Sequence, residues 1–381
     1  MQVSINKREL IRGLSLVAMV TESKATHLVY GQAFLDVQAH GPVFVHGTNG
    51  VRVMSVELSG VEIQKPGACL IPAKDLLERA KAMPDGGIQI AFDSRAATIK
   101  ASGSARKYKV HAQGTEDFPT ATLSPTGTKV SATLRAADLA SLIHMTSFAV
   151  SPDETRPHLN GALLEWEGKS VRMVSTDGHR LSAYTMAVEN DGAVSGIIPL
   201  RSLADIAKVL DGAGSGTEVT INAWRTSNGG GPVGVEVGGV TYITQTPDAK
   251  FPPWRQVVPS EDPKDFIARV DRLLLIDAIR AASVAAAKEA RNVTLGFGPK
   301  GVTVHSESPD GGDAEDEVAA EYVGKPFRIG ANAGYMLQVL SVLPTTDVLL
   351  RLKGELDPIL VKPGPTEEPI DYVGVVMPCR I

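Results

Sequence analysis

The sequence predicts an α+β protein built from three successive copies of one unit, each with two helices on antiparallel sheet. Three observations carry this. A strand-end and helix segment recurs as Ile71-Pro-Ala-Lys-Asp-Leu-Leu, Ile198-Pro-Leu-Arg-Ser-Leu-Ala and Ile329-Gly-Ala-Asn-Ala-Gly-Tyr-Met-Leu. A strand hairpin recurs around Val43, Val171 and Val302 at the same spacing. A strand followed by a helix opens each copy. Unrelated features sharing one period, here about 130 residues, are the signature of an internal repeat.

Each element follows from its local pattern. Val3-Ser-Ile precedes Leu10, Leu14 and Val17, whose spacing is that of a helix with one apolar face. Val130-Ser-Ala-Thr-Leu precedes Leu139, Leu142 and Ile143 in the same way. Phe266-Ile-Ala-Arg-Val does so before Leu275, Ile279 and Ala282. The hairpins turn at His40-Gly-Pro, Gly168-Lys-Ser and Gly298-Pro-Lys-Gly. Pro- and Gly-rich junctions at Phe118–Gly127 and Phe251–Pro263 separate the copies, giving expected domains 1–125, 126–258 and 259–381.

Composition bounds the function. Hydrophobic residues make up 43% and charged residues 21%, an ordinary globular mixture. No apolar run nears the roughly 18 residues of a membrane span, and Met1-Gln-Val-Ser-Ile-Asn lacks a signal-peptide layout. Two cysteines, Cys69 and Cys379, supply neither a disulfide framework nor a Cys-rich metal site. A cytoplasmic chain without metal or cofactor is expected. The formal net charge of −5 argues against a protein that simply coats DNA, but not against one with a single basic face.

Several motifs resemble catalytic or phosphate-binding signatures and read better as turns. Gly168-Lys169-Ser170 lacks the first glycine of a P-loop and no helix follows. Gly296-x-Gly298-x-x-Gly301 is followed by a strand and contains Pro299. Thr176-Asp177-Gly178-His179-Arg180 offers Asp177 and His179 as base and orienter for a nucleophile such as Ser175, hence a remote hydrolase alternative. The competing reading is an Asp-Gly turn at a strand end. The eight histidines are scattered, with no compact ligand set.

Basic residues lie opposite the apolar helix stripes: Arg8 and Arg12, Lys74 and Lys81, Arg201 and Lys208, and Arg280. Glu78, Asp205 and Asp277 are expected to share these faces. On one concave surface these cations would neutralise phosphates without reading bases.

Leu159-Asn-Gly, Thr176-Asp-Gly-His-Arg-Leu181, Phe251-Pro-Pro-Trp-Arg-Gln-Val-Val-Pro259 and Val375-Val-Met-Pro-Cys-Arg-Ile381 together resemble the β subunit family of bacterial DNA polymerase III, the replicative sliding clamps. The resemblance covers the whole chain. It implies a DNA-clamp fold, a head-to-tail homodimer closed as a ring around duplex DNA, and processivity without catalysis. It adds Lys24 to the DNA-facing residues. It places Arg106, Lys107, Tyr108 and Lys109 against Val284, Ala285, Asp313, Glu315 and Glu317 at the dimer interface. It implies a pocket for short peptides of the polymerase III α subunit, the clamp loader, other polymerases and repair proteins. That pocket comprises Leu159, Thr176, Gly178, His179, Arg180, Leu181, Pro252, Val257, Asn332, Tyr335, Val375, Val376, Met377, Pro378 and Arg380. Gln256 and Cys379 stand where the family usually has arginine and methionine, which leaves a specialised clamp for repair, resistance or a mobile element as the alternative.

Overall fold

The structure, a computed structural model, describes residues 1–22, 24, 27–225, 231–285, 292–308 and 312–380. Six helices are described: α1 (Lys7–Val20), α2 (Ala73–Ala82), α3 (Ala136–Thr146), α4 (Leu200–Asp211), α5 (Arg272–Ser283) and α6 (Ala333–Val342). They fall two to a repeat. Side-chain caps start three of them: Asn6 accepts from Arg8 N–H, Asp271 from Leu273 and Leu274 N–H, and Asn332 from Tyr335 N–H. Each cap satisfies a donor the first turn leaves without a helical partner. The α1 stripe of Leu10, Leu14, Val17 and Val20 is fully buried.

The compact units do not coincide with the repeats. One unit comprises Met1–Leu139 and Ala204–Thr246, the other Ala140–Leu203 and Pro247–Ile381, so the middle repeat is shared out. The first unit holds two sheets. A five-stranded sheet runs Glu62–Lys65, Gln2–Asn6, Gly87–Phe92, Ala96–Ala101, Lys107–His111. An eight-stranded sheet runs Thr128–Arg135, Glu218–Arg225, Val233–Val237, Val240–Thr244, Arg52–Leu58, Val43–Thr48, Gln32–Val37, Gly67–Pro72. Val240–Thr244 of the middle repeat thus pairs with Arg52–Leu58 of the first, Ile243 opposite Val53.

In the second unit a seven-stranded sheet pairs Arg180–Pro199 of the middle repeat with Asp371–Val376 of the third, Leu181 opposite Val375. A five-stranded sheet follows the order Gly312–Val318, Gly301–Ser308, Asn292–Gly298, Phe327–Asn332, Pro378–Cys379. Residues Gly161–Thr176 form one 16-residue extended element where a hairpin is expected. Glu165 and Arg172 nevertheless make a 3.6 Å ion pair, whereas a straight strand would part them by about 23 Å. The element therefore doubles back at Gly168, whose φ of +55° supplies the turn. Leucine, valine and isoleucine from α5, α6 and both sheets form the core of this unit, with Tyr372 fully buried among them.

Candidate functional site

The Thr176–Arg180 segment is a hydrogen-bonded turn between two strands of the second unit. Thr176 Oγ1 donates to Arg180 O (2.7 Å) and accepts from Gly178 N–H (3.1 Å). Asp177 Oδ1 accepts from His179 N–H (2.8 Å) and Arg180 N–H (3.0 Å), while Oδ2 accepts from Arg180 Nε (3.1 Å). Gly178 takes φ +95°, a conformation strained for residues with a Cβ. Met377 N–H donates to His179 O (2.9 Å), tying the C-terminal segment to the turn.

This geometry overturns the hydrolase alternative. The Asp177 carboxylate is spent on the turn and on Arg180. Ser175 is fully buried and donates to Thr146 O. His179 stacks on Tyr335 (6.1 Å between ring centres, 18° between planes).

Beside the turn lies an apolar cavity of about 260 Å³. Among the expected residues, Leu159, Thr176, Gly178, Arg180, Leu181, Pro252, Val257, Val375 and Met377 line it. Pro253, Trp254 and Gln256 also line it; sequence reasoning misses them, although the Phe251–Pro259 motif contains them. The motif's indole is the available signal. The Trp254 ring carries Arg255 at 4.5 Å and Arg172 at 5.6 Å, both held by Glu165 (3.0 and 3.6 Å). Such stacking fixes an aromatic wall that would otherwise swing.

The other expected pocket residues lie outside this cavity. Val376 is fully buried in the core, because alternation along Asp371–Val376 turns Val375 and Val376 to opposite faces. The Asn332 side chain caps α6. Tyr335 lies under Arg180, 4.6 Å from guanidinium to ring centre, with Phe148 also beside Arg180 at 5.5 Å and Gln338 accepting from it. Pro378 is half-buried and Arg380 exposed.

The expected DNA-facing residues differ in how free their charges are. Arg8, Lys24, Lys74 and Arg280 are exposed. Arg12 makes a two-pronged contact with Glu9 (3.0 and 2.8 Å) and reaches Glu57 O (2.7 Å). That contact holds the Glu9 carboxyl down at about 2. Lys81, Lys208 and Arg201 form exposed pairs with Glu78, Asp211 and Glu154, which cost little to break. Asp205 is a correction: it is buried, accepting from Arg52 Nη1 (2.7 Å) and Tyr242 OH (3.0 Å), so it does not dilute the exposed face.

Of the expected interface residues, Lys107, Tyr108 and Lys109 lie on Lys107–His111, the outermost strand of its sheet. Asp313, Glu315 and Glu317 lie on Gly312–Val318, also outermost. Arg106 precedes the first strand and donates to Ala82 O. Val284 is 86% exposed at the end of α5, with Ala285 beside it.

Comparison with known proteins covers this whole chain. Profiles of the DNA polymerase III beta subunit match in order: the N-terminal domain over residues 1–123, the central domain over 133–253 and the C-terminal domain over 255–380. A beta sliding clamp of Pseudomonas putida is 29% identical over 388 residues, and that of Escherichia coli K12 is 26% identical over 382, each spanning all of both chains. The crystal structure of a DnaN sliding clamp from Pseudomonas aeruginosa bound to griselimycin superposes with a TM-score of 0.90 at 27% identity, again over both full chains. The chain therefore belongs to the DNA polymerase III beta subunit family, the sliding clamps.

Proposed function

We propose that two copies of this chain join head to tail into a ring that encircles duplex DNA and tethers a DNA polymerase to it. One observation carries the assembly. Inside the chain, each junction between repeats pairs the same two strand positions, Arg52–Leu58 with Val240–Thr244 and Arg180–Pro199 with Asp371–Val376. The third copies of those positions are Gly312–Val318 and Lys107–His111, each outermost in its sheet. An open strand edge is a hazard unless paired. A second chain supplies the missing partner, a heterologous contact that closes when the rotation per repeat is right.

The internal register supports a definite external one. Ser55 stands opposite His46 and Glu315 opposite His305, so Glu315 matches Ser55 and Asp313 matches Val53. Counting outward from Gly87 and Glu218 matches Lys107 to Thr241, Tyr108 to Tyr242 and Lys109 to Ile243. Since Ser55 pairs with Thr241 and Val53 with Ile243, Glu315 falls opposite the second chain's Lys107 and Asp313 opposite its Lys109. Cations meet carboxylates along the ladder. Arg106, Tyr108, Val284, Ala285 and Glu317 flank it.

The domains are taken as 1–125, 126–258 and 259–381. Arg8, Arg12, Lys24, Lys74, Lys81, Arg201, Lys208 and Arg280 contact phosphates, giving sequence-independent binding loose enough to slide. The cavity at Thr176–Arg180 takes an apolar-anchored peptide, its floor supplying burial and its polar rim orientation. The polymerase III α subunit, the clamp loader, other polymerases and repair proteins dock there, with the outer residues His179, Asn332, Tyr335, Pro378 and Arg380 along the peptide's path. The ring works in the cytoplasm, at the nucleoid.

The test is retention on nicked circular DNA after loading, at salt high enough to remove electrostatic binders. Protein that stays on circles and runs off once the circle is cut is linked topologically. Equal loss from circles and linear DNA, with a loader of proven competence, overturns the ring. For the cavity, griselimycin is the probe: Val257→Asp and Met377→Asp, at exposed lining positions, should each weaken its binding at least tenfold.

A further inference from the structure

We propose that the first unit contains a second copy of the peptide cavity, closed by the chain's own Trp224, and that this residue limits docking to one site per chain. The proposal rests on reading the 260 Å³ cavity as a peptide site.

The turn beside the cavity has a twin. Thr48-Asn49-Gly50-Val51-Arg52 stands one repeat before Thr176-Asp177-Gly178-His179-Arg180. The four bonds between its Thr and Asn side chains and the backbone match those of the later turn. Thr48 Oγ1 donates to Arg52 O (2.9 Å) and accepts from Gly50 N–H (3.0 Å). Asn49 Oδ1 accepts from Val51 N–H (3.1 Å) and Arg52 N–H (2.8 Å). Gly50 takes φ +89°, against +95° at Gly178.

The sheet rows beside the two turns correspond as well. In the second unit Leu181 stands opposite Val375, and Val375 opposite Leu360. In the first unit Val53 stands opposite Ile243, and Ile243 opposite Gly234. The next strand begins at Asp347, opposite Asp271, in one unit and at Glu218, opposite Arg135, in the other. Six residues further along lie Lys353 and Trp224 respectively.

What differs is where those last two side chains go. Lys353 Nζ turns to Ser260 Oγ (3.3 Å) and Asp265 (3.9 Å). Trp224 lies across Gly234, where a Cβ would come within 3.0 Å of the ring, and packs on Val53 and Ile243 together with Leu123. Glycine at 234 is what admits the ring, since Leu360 fills the matching place in the open copy. Above the turn, the Tyr30 hydroxyl would lie 2.8 Å from a Cβ on Gly50, while only the Arg156 guanidinium, at 3.5 Å, approaches Gly178. The indole therefore occupies the apolar floor that an incoming side chain would cover, acting as a ligand built into the chain.

The experiment is a calorimetric titration of the intact ring with griselimycin. The parent should take one molecule per chain. Trp224→Lys combined with Gly234→Leu, which installs the row of the open copy, should take two. Adding Val257→Asp should weaken the original site at least tenfold and leave the new one unchanged. Trp224→Leu keeps an apolar side chain against Val53 and Ile243 but removes the ring from Gly234, and should show the second site at lower affinity. One molecule per chain in both the Leu variant and the double variant, with native circular dichroism in the former, overturns the proposal. A parent that takes none overturns instead the reading of the cavity itself.

Discussion

The turns at Thr48–Arg52 and Thr176–Arg180 share the four hydrogen bonds that their Thr and Asn or Asp side chains make to the backbone, yet their equally buried arginines take different partners. Arg52 is driven inward, where its guanidinium meets the Asp205 carboxylate at 2.7 Å with the Tyr242 hydroxyl on the same oxygen; Glu22 lies 3.9 Å away. Arg180 lies flat beside a cavity, between Asp177, Gln338 and the rings of Tyr335 and Phe148. The backbone requirement of a tight turn is identical in both places, so the Thr, the Asn or Asp and the Gly persist. The arginine side chains answer to different surroundings, a buried carboxylate in one unit and the cavity proposed as a docking site in the other.

The sharpest way to break this contrast is to remove each arginine. Arg52→Ala leaves the buried Asp205 charge without its cation and should cost about 3–5 kcal/mol in urea unfolding, with griselimycin binding unchanged. Arg180→Ala leaves Asp177 its two backbone donors. It should cost less stability while weakening the ligand. Equal losses of stability from both would erase the distinction.

A second difference lies one strand back. His46 occupies the place that Val174 takes one repeat later, and burial holds its imidazole down to about 4. Its Nδ1 lies 2.8 Å from Ser55 Oγ, in a hydrogen bond inside the sheet. The unfolded chain takes up a proton near pH 6.5 and the folded one does not until about pH 4, so stability is full above 6.5 and falls as pH drops. The loss should reach roughly 3 kcal/mol by pH 4. His46→Val should flatten that part of the profile, and an unchanged slope would assign the acid sensitivity elsewhere.

The junctions inside the chain also contrast with the one proposed between chains. Lys107→Glu places like charges opposite Glu315 and should weaken the dimer by about 1 kcal/mol at each contact. Lys107→Glu with Glu315→Lys should restore it in analytical ultracentrifugation. A double variant no better than the single would refute the register. The smallest effect belongs to the glycines. Alanine at Gly178 should cost about 1 kcal/mol for its positive φ. At Gly50 the cost should be larger, because Tyr30 must also move.

Much of the fold is legible from local pattern. Helix stripes, capping Asn and Asp residues and hairpin turns act over a few residues, and the period of about 130 residues exposes the repeats. The pairing of Arg52–Leu58 with Val240–Thr244 is not legible in this way, because edge strands carry no local mark of a partner nearly two hundred residues away. For the same reason Asp205 reads as a surface residue on α4 until Arg52, distant in sequence, is brought to it. The candidate cavity is legible through its motifs. The alternation of a single strand keeps Val376 off it, against expectation, and Trp254 escapes notice although the motif displays it.

The sharing of the middle repeat between two compact units governs how the chain emerges from the ribosome. Residues 1–139 leave the exit tunnel with the Arg52–Leu58 edge bare, and its partner follows only when Val240–Thr244 has been made. At about 5–20 residues per second, that edge waits roughly 10–40 seconds for its mate. During synthesis each unit therefore leaves a strand edge open to its neighbours for a comparable time. The other unit closes later still, when Asp371–Val376 reaches Arg180–Pro199.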